Sequence, residues 1–189
     1  MRYRSYRGFD LGPIELLIVT NLILLIATTI RPDFIFLFGL QPVSFLERPW
    51  TIVTNLFIHT GLWHILANML TLYFFGSYLV QLIGERKFLT VYFIGGILGN
   101  VFYMLMASPF SVVVGASGAV FAVGGTLAVM RPHLRVFIFP LPVPIPLWLA
   151  VIGGFLIVSP GVAWEAHLGG LVFGLIVGYF FSRRGGRFF

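Results

Sequence analysis

The chain has 189 residues, 59% of them hydrophobic and only 10% charged, with a mean hydropathy of +1.00 and no cysteine. Soluble domains carry roughly a quarter charged residues, and one of this size could not hide so much apolar surface, so lipid must be the solvent. The missing cysteine excludes a disulfide framework and thiolate chemistry, and the net charge of +6 has to be judged by where the cations fall before a nucleic-acid partner is invoked.

The N-terminal stretch MRYRSYRGFDLG leads into PIELLIVTNLILLIATTI. This has the look of a secretory leader, but its apolar run of about 18 residues exceeds the ~7–15 of a cleavable core. It also ends at Arg31-Pro32 without a small-residue cleavage site. A retained first span over 13–30 is expected. The next stretch, RPDFIFLFGLQPVSFLERPW (31–50), is apolar but proline-bracketed and too broken to span. With Phe34, Phe36, Phe38, Phe45 and Trp50 it is expected to lie half-embedded in the outer leaflet; a stiff surface loop with incidental aromatics is the plainer alternative.

Five further apolar segments follow, at about 61–83, 88–107, 116–130, 146–160 and 165–182, where a span needs about 20 residues. They are joined at Gly84–Lys87, Ser108–Gly115, Arg131–Ile145 and Gly161–Trp164. The fourth is short, which predicts that Val112–Gly115 enters below the surface as non-helical backbone, tolerated only where buried in protein or lining a wet cavity. FPLPVPIP (139–146) alternates proline and is expected to be an extended polyproline II connector. Gly153-Gly154, midway along the fifth segment, would let it bend as a substrate gate, or would serve packing. The fold class is all-α, a polytopic membrane protein built as a six-transmembrane-helix bundle.

In that arrangement Arg2, Arg4, Arg7, Arg86, Lys87, Arg131, Arg135, Arg183, Arg184 and Arg187 fall on one side, and only Arg31 and Arg48 on the other. Ten against two is a positive-inside pattern with both termini cytoplasmic, and the basic surplus needs no nucleic acid. A multi-pass protein of the cell (plasma) membrane is expected.

Spans two, four and six then start at the outer side, and their first turns carry His64 and Asn68, Ser117, and His167. Polar groups at depth face protein or water and usually work there. Each has a bland reading. Ser117 alone would be packing material, His167 an interhelical hydrogen bond, and His64 and Asn68, four apart on one face, a polar bridge. Their coincidence at one depth is hard to explain by packing. Gly170, Gly174 and Gly178 form a small-residue stripe on the face of His167. On span four, Ser117, Gly124 and Ala128 share a face, with Gly118, Ala122 and Gly125 beside it. Two smooth stripes let helix backbones approach closely in lipid.

GASG around Ser117, HILAN (His64 to Asn68), AHLGGLVFG (Ala166 to Gly174) and RPWTIVTNLFIHTGLWH, in which His59 precedes His64, together resemble the rhomboid family of intramembrane serine proteases of the prokaryotic six-span type. The resemblance runs over the whole chain, 1–189, as one membrane domain. It implies that Ser117 is the nucleophile, His167 its general base, and His64 and Asn68 the oxyanion-stabilising pair, with Gly115, Gly118 and Gly170 in support. Two positions depart from the family pattern. Phe121 stands where many members carry a tyrosine that stacks on the histidine, so stacking survives without the hydroxyl. Val80 and Gln81 precede Gly84 where a glutamate is frequent.

No carboxylate suits a triad: Asp10 and Glu15 are cytoplasmic by topology, Asp33 and Glu47 lie in the outer loop, and Glu165 points to another face than His167. A serine–histidine dyad follows, helped by the backbone N–H groups at Ser117, since a helix N-terminus can meet a developing oxyanion. His59 and His64 are five apart, off the i, i+4 zinc pattern, so neither a metal nor another cofactor is expected. Because an intact helix hides its carbonyls in its own hydrogen bonds, the expected substrates are single-span membrane proteins with small or helix-destabilising residues near their outer boundary. A catalytically inactive scaffold that binds transmembrane clients is the alternative. A small transporter is disfavoured, because the polar set is not at the midplane and no inverted repeat is evident.

Overall fold

The computed structural model describes residues 11–137 and 143–184. Arg2, Arg4, Arg7 and Arg187 of the charge pattern, and Phe139–Pro142 of the proline-rich connector, lie outside the described residues.

Helices occupy all six apolar segments. α1 is Pro13–Ile30, and its bounds follow from Pro13 at the first helical position and from Arg31, which closes the last turn onto Ala27. Two short helices, α2 (Phe34–Phe38) and α3 (Thr51–Thr54), with 3-10 turns at Pro42–Ser44 and Asn55–Phe57, make up the loop after α1. The second segment is a rod of α4 (Leu62–Thr71), a π-helical turn over Leu72–Gly76 and α5 (Ser77–Ile83). Then come α6 (Glu85–Met106), α7 (Ser117–Met130), α8 (Leu147–Val158) and α9 (Trp164–Arg184). The first, second, third and sixth segments are long and apolar enough to cross a membrane; α7 and α8 are apolar but shorter.

Three expectations are corrected here. The linker expected at Gly84–Lys87 shrinks to Gly84 alone, whose φ of 81° turns the chain, so that Glu85 already opens α6. Part of the proline-rich connector is a strand: β2 (Ile145–Pro146) pairs antiparallel with β1 (Arg135–Val136), Arg135 opposite Pro146 and Val136 opposite Ile145. Gly153 and Gly154 face open space, with nothing within 4 Å of where a Cβ would stand, so they do not serve packing, and α8 runs through them as one helix.

α7 is the centre of the bundle. Ten of its residues from Gly118 to Ala128 are buried, and α9 and α6 close around it. The seam between α7 and α9 is backbone against backbone. A Cβ added at Gly170 would run into the Gly118 carbonyl, at Gly174 into that of Ala122, and at Gly178 it would stand 2.6 Å from that of Thr126. The α7 side of the seam is therefore Gly118, Ala122 and Thr126, with Gly125 set against Leu171; the expected row of Ser117, Gly124 and Ala128 is not that face. Gly124 instead looks toward Val151 of α8 and Phe75. Thr126 takes the third slot because its hydroxyl bonds the carbonyls of Ala122 (2.8 Å) and Gly174 (3.1 Å). On the third side, Gly99 of α6 lies against the Ala166 carbonyl, and Gly95 abuts Ala122. Lipid supplies no hydrophobic drive between helices, so this contact rests on packing of small residues at close range.

Candidate active site

Ser117 is the first residue of α7, and the non-helical entry expected at Val112–Gly115 is present. Leu40 of the loop after α1 pairs with Val113 through two backbone hydrogen bonds (3.0 and 2.9 Å), and the Gly115 N–H reaches the Asn55 carbonyl at 2.9 Å. Asn55 is itself fixed by a buried reciprocal amide pair with Asn100 of α6 (2.9 and 2.8 Å), and Asn100 also donates to the Ile52 carbonyl. Gly115 has a φ of +119°, which excludes side chains. A Cβ there would also lie 2.6 Å from His64 Nε2 and 3.8 Å from Ser117 Oγ. The next residue, Ala116, gives its N–H to His59 Nε2 at 3.4 Å.

The seam brings α9 to this point. His167 is buried, 1% exposed, and its ring bonds two serine hydroxyls. Nε2 lies 2.7 Å from Ser117 Oγ, and Nδ1 lies 2.9 Å from Ser159 Oγ. Phe121, one turn below Ser117, stands against the His167 ring at 4.8 Å between centroids and 41° between planes, with Phe155 of α8 edge-on behind it at 5.9 Å. The ring lies against the imidazole at a tilt, not face to face. A Cβ on Gly170 would overlap the Gly118 carbonyl, so the two helices meet backbone against backbone beside Ser117 and three residues from His167.

His64 and Asn68 are one turn apart on α4. His64 is half-buried beside Gly115, its ring edge-on to His59 at 4.8 Å. Asn68 is buried, and its amide donates to the His64 carbonyl at 2.9 Å. Among the described residues no hydrogen bond joins either side chain to Ser117 or His167. Of the α7 backbone donors, Ala116 N–H is taken by His59 and Val120 N–H bonds the Ala116 carbonyl. The N–H groups of Ser117, Gly118 and Ala119 lie in the first turn, where a helix leaves donors without intrahelical partners. Glu165, 9% exposed, makes no hydrogen bond to His167.

A hydroxyl 2.7 Å from an imidazole nitrogen can pass it a proton as the oxygen attacks, while free N–H groups at a helix N-terminus can take up negative charge on a neighbouring oxygen. Sequence reasoning missed Ser159, Asn55 and Asn100. Ser159-Pro160 reads as a turn, and the two asparagines stand 45 residues apart with no shared periodicity.

The family model described as Rhomboid domain matches residues 46–184. The chain is 30% identical over 145 residues to mitochondrial Rhomboid protein 1 of Saccharomyces cerevisiae, covering 70% of this chain and 42% of that protein. It is 31% identical over 142 residues to Rhomboid-like protease 3 of Toxoplasma gondii, covering 71% of this chain and 52% of that one. It is also 30% identical over 90 residues to Inactive RHOMBOID-like protein 8 of Arabidopsis thaliana, covering 47% and 25%. The chain thus spans about half the length, or less, of these relatives. With a matching domain over most of its length and four helices fit to cross a bilayer, this multi-pass membrane protein belongs to the rhomboid family.

Proposed function

We propose that the protein is an intramembrane serine endopeptidase working through a dyad of Ser117 and His167. Ser117 Oγ attacks a substrate carbonyl as its proton passes to His167 Nε2. The oxyanion of the tetrahedral intermediate is met by the Ser117 N–H, by His64 and by Asn68. His167 then protonates the leaving amine, and water, activated by the same nitrogen, releases the acyl group. The observation that carries this reading is the 2.7 Å bond between a helix-start serine and a buried histidine.

The charge pattern supports six spans with both termini cytoplasmic and the site opening outward, with 1–189 as one domain in the plasma membrane. Substrates are then single-span proteins whose outer boundary unwinds readily, because only an unwound segment offers its carbonyls. The outer loop fits a seat in the outer leaflet: Phe36, Leu46 and Trp50 are exposed. Gly153-Gly154, free of neighbours, fits a bend in α8. No cofactor is required.

The test is covalent labelling by a fluorophosphonate, which forms a bond to an activated serine. The purified protein should label at Ser117, and Ser117→Ala and His167→Ala should neither label nor cleave while still folding. Each removes an indispensable partner, so the double variant should be no worse than either single one. Turnover by Ser117→Ala would refute the proposal. One relative bears the name inactive, and an unlabelled wild-type protein would favour the second reading, a scaffold that binds transmembrane clients.

A further inference from the structure

The mechanism so far uses one nitrogen of His167; the other is also bonded. Its partner, Ser159, is 2% exposed and is the C-terminal cap residue of α8. The turn that follows is tightly held. Ser159 N–H bonds the Phe155 carbonyl and its own carbonyl takes the Val162 N–H. Ala163, at a φ of +31°, turns the chain so that its carbonyl accepts from both Ala166 and His167. Ser159 and His167 thus belong to one short hydrogen-bonded frame, with hydroxyl and ring nitrogen 2.9 Å apart.

For Nε2 to take the Ser117 proton, Nδ1 must already hold the other one and must have something to give it to. In the opposite tautomer Nε2 carries hydrogen and cannot act as the base. Once Nε2 is protonated both nitrogens are donors, and an acceptor at Nδ1 stabilises the cation. We infer that Ser159 is a positioning residue of the proteolytic site, its hydroxyl oxygen accepting the Nδ1–H of His167 and so fixing the ring's tautomer and orientation toward Ser117. This inference rests on the protease reading above. The place is the one a carboxylate holds in soluble serine hydrolases. A hydroxyl suits lipid better, because an ionised carboxylate at depth is costly unless paired. Ser159 does its work through His167 and touches no substrate.

The experiment measures the rate of fluorophosphonate labelling, and kcat and KM on a synthetic single-span peptide, for the full-length protein and its Ser159→Ala and Ser159→Thr variants, with Tm alongside. A hydrogen bond to a group that becomes charged sets an expected loss of about 10- to 100-fold in kcat and labelling rate for Ser159→Ala. KM and Tm should stay near wild type. Ser159→Thr, which keeps the hydroxyl, should recover most of the rate. Wild-type labelling by Ser159→Ala would overturn the inference while leaving the protease reading intact. So would equal impairment of the alanine and threonine variants with a lowered Tm, which would assign Ser159 to packing. Failure of the wild type to label would overturn the protease reading itself, and this inference with it.

Discussion

Substituting Gly170 by alanine separates packing from chemistry. The new Cβ would press on the Gly118 peptide group: the carbonyl oxygen is its nearest neighbour, with the carbonyl carbon at 2.8 Å and Cα at 3.2 Å. All are backbone atoms inside a helix, so none can rotate aside. Restoring an ordinary 3.4 Å contact to the carbon alone moves the helices apart by about 0.6 Å, and relieving the oxygen takes more. Gly118 adjoins Ser117, and Gly170 shares a helix face with His167. That shift would stretch the 2.7 Å serine–histidine bond to about 3.3 Å or beyond, outside the useful range of such bonds. Misplacement by about 1 Å costs on the order of 10²-fold in rate, so fluorophosphonate labelling should fall at least tenfold. Overpacking should lower stability by about 1–3 kcal/mol, seen as a lower Tm. Gly178→Ala meets the Thr126 carbonyl at 2.6 Å, two turns farther from the site. It should lower Tm similarly but spare more activity. Gly153→Ala, with no neighbour within 4 Å, should leave Tm unchanged or raise it. Wild-type labelling and Tm in Gly170→Ala would refute the claim that this seam sets the serine–histidine distance. Equal loss of activity in Gly170→Ala and Gly178→Ala would show that activity follows overall folding instead.

His64→Ala and Asn68→Ala should each lower kcat on a synthetic transmembrane peptide by on the order of 10²–10³, the usual effect of losing one oxyanion donor, with fluorophosphonate labelling slowed less. Wild-type rates in both would assign the pair a structural role; the Asn68 amide already bonds the His64 carbonyl within α4. Single cysteines at positions 60 and 163 should react with an impermeant reagent added outside intact cells, and one at position 86 only after the membrane is opened. The cysteine-free chain makes this scan clean, and outside labelling at 86 would reverse the proposed orientation.

Ser117 and His167 could be found in the sequence because a polar residue among apolar ones is conspicuous, and a shared depth follows from counting spans. α1 was readable to the residue because a proline starts it and an arginine ends it. The packing face of α7 was readable only in part, since Gly118, Ala122 and Gly125 could be placed beside the expected row but not singled out, and Thr126 gave no sign. Ser117, Gly124 and Ala128 follow helical periodicity as well as Gly118, Ala122 and Thr126 do, and only the partner helix decides between them. α9 presents glycines four apart, and these select the α7 row that is also four apart, admitting Thr126 because its hydroxyl satisfies itself on two carbonyls. Ser159 was hidden for a different reason. Its role depends on a contact across a turn whose backbone includes a non-glycine residue at positive φ, and Ser-Pro at a helix end has an adequate local explanation.

The loop between α1 and α4 also has a task that its aromatic residues do not suggest. The extended backbone ahead of Ser117 cannot satisfy its own polar groups as a helix would, and leaving them unpaired in lipid is costly. The loop supplies those partners: Leu40 for Val113, the Asn55 carbonyl for Gly115 N–H, and His59 for Ala116 N–H. Asn55 stays in place because its side chain is locked to Asn100, carrying the restraint into α6. The serine is therefore held from two sides by different means, the loop fixing the backbone that leads to it and the glycine seam fixing the histidine that faces it. Asn100→Ala, with no contact to Ser117, should therefore lower the rate of fluorophosphonate labelling by loosening Asn55 and, through its carbonyl, Gly115; wild-type labelling in that variant would refute this route to the site.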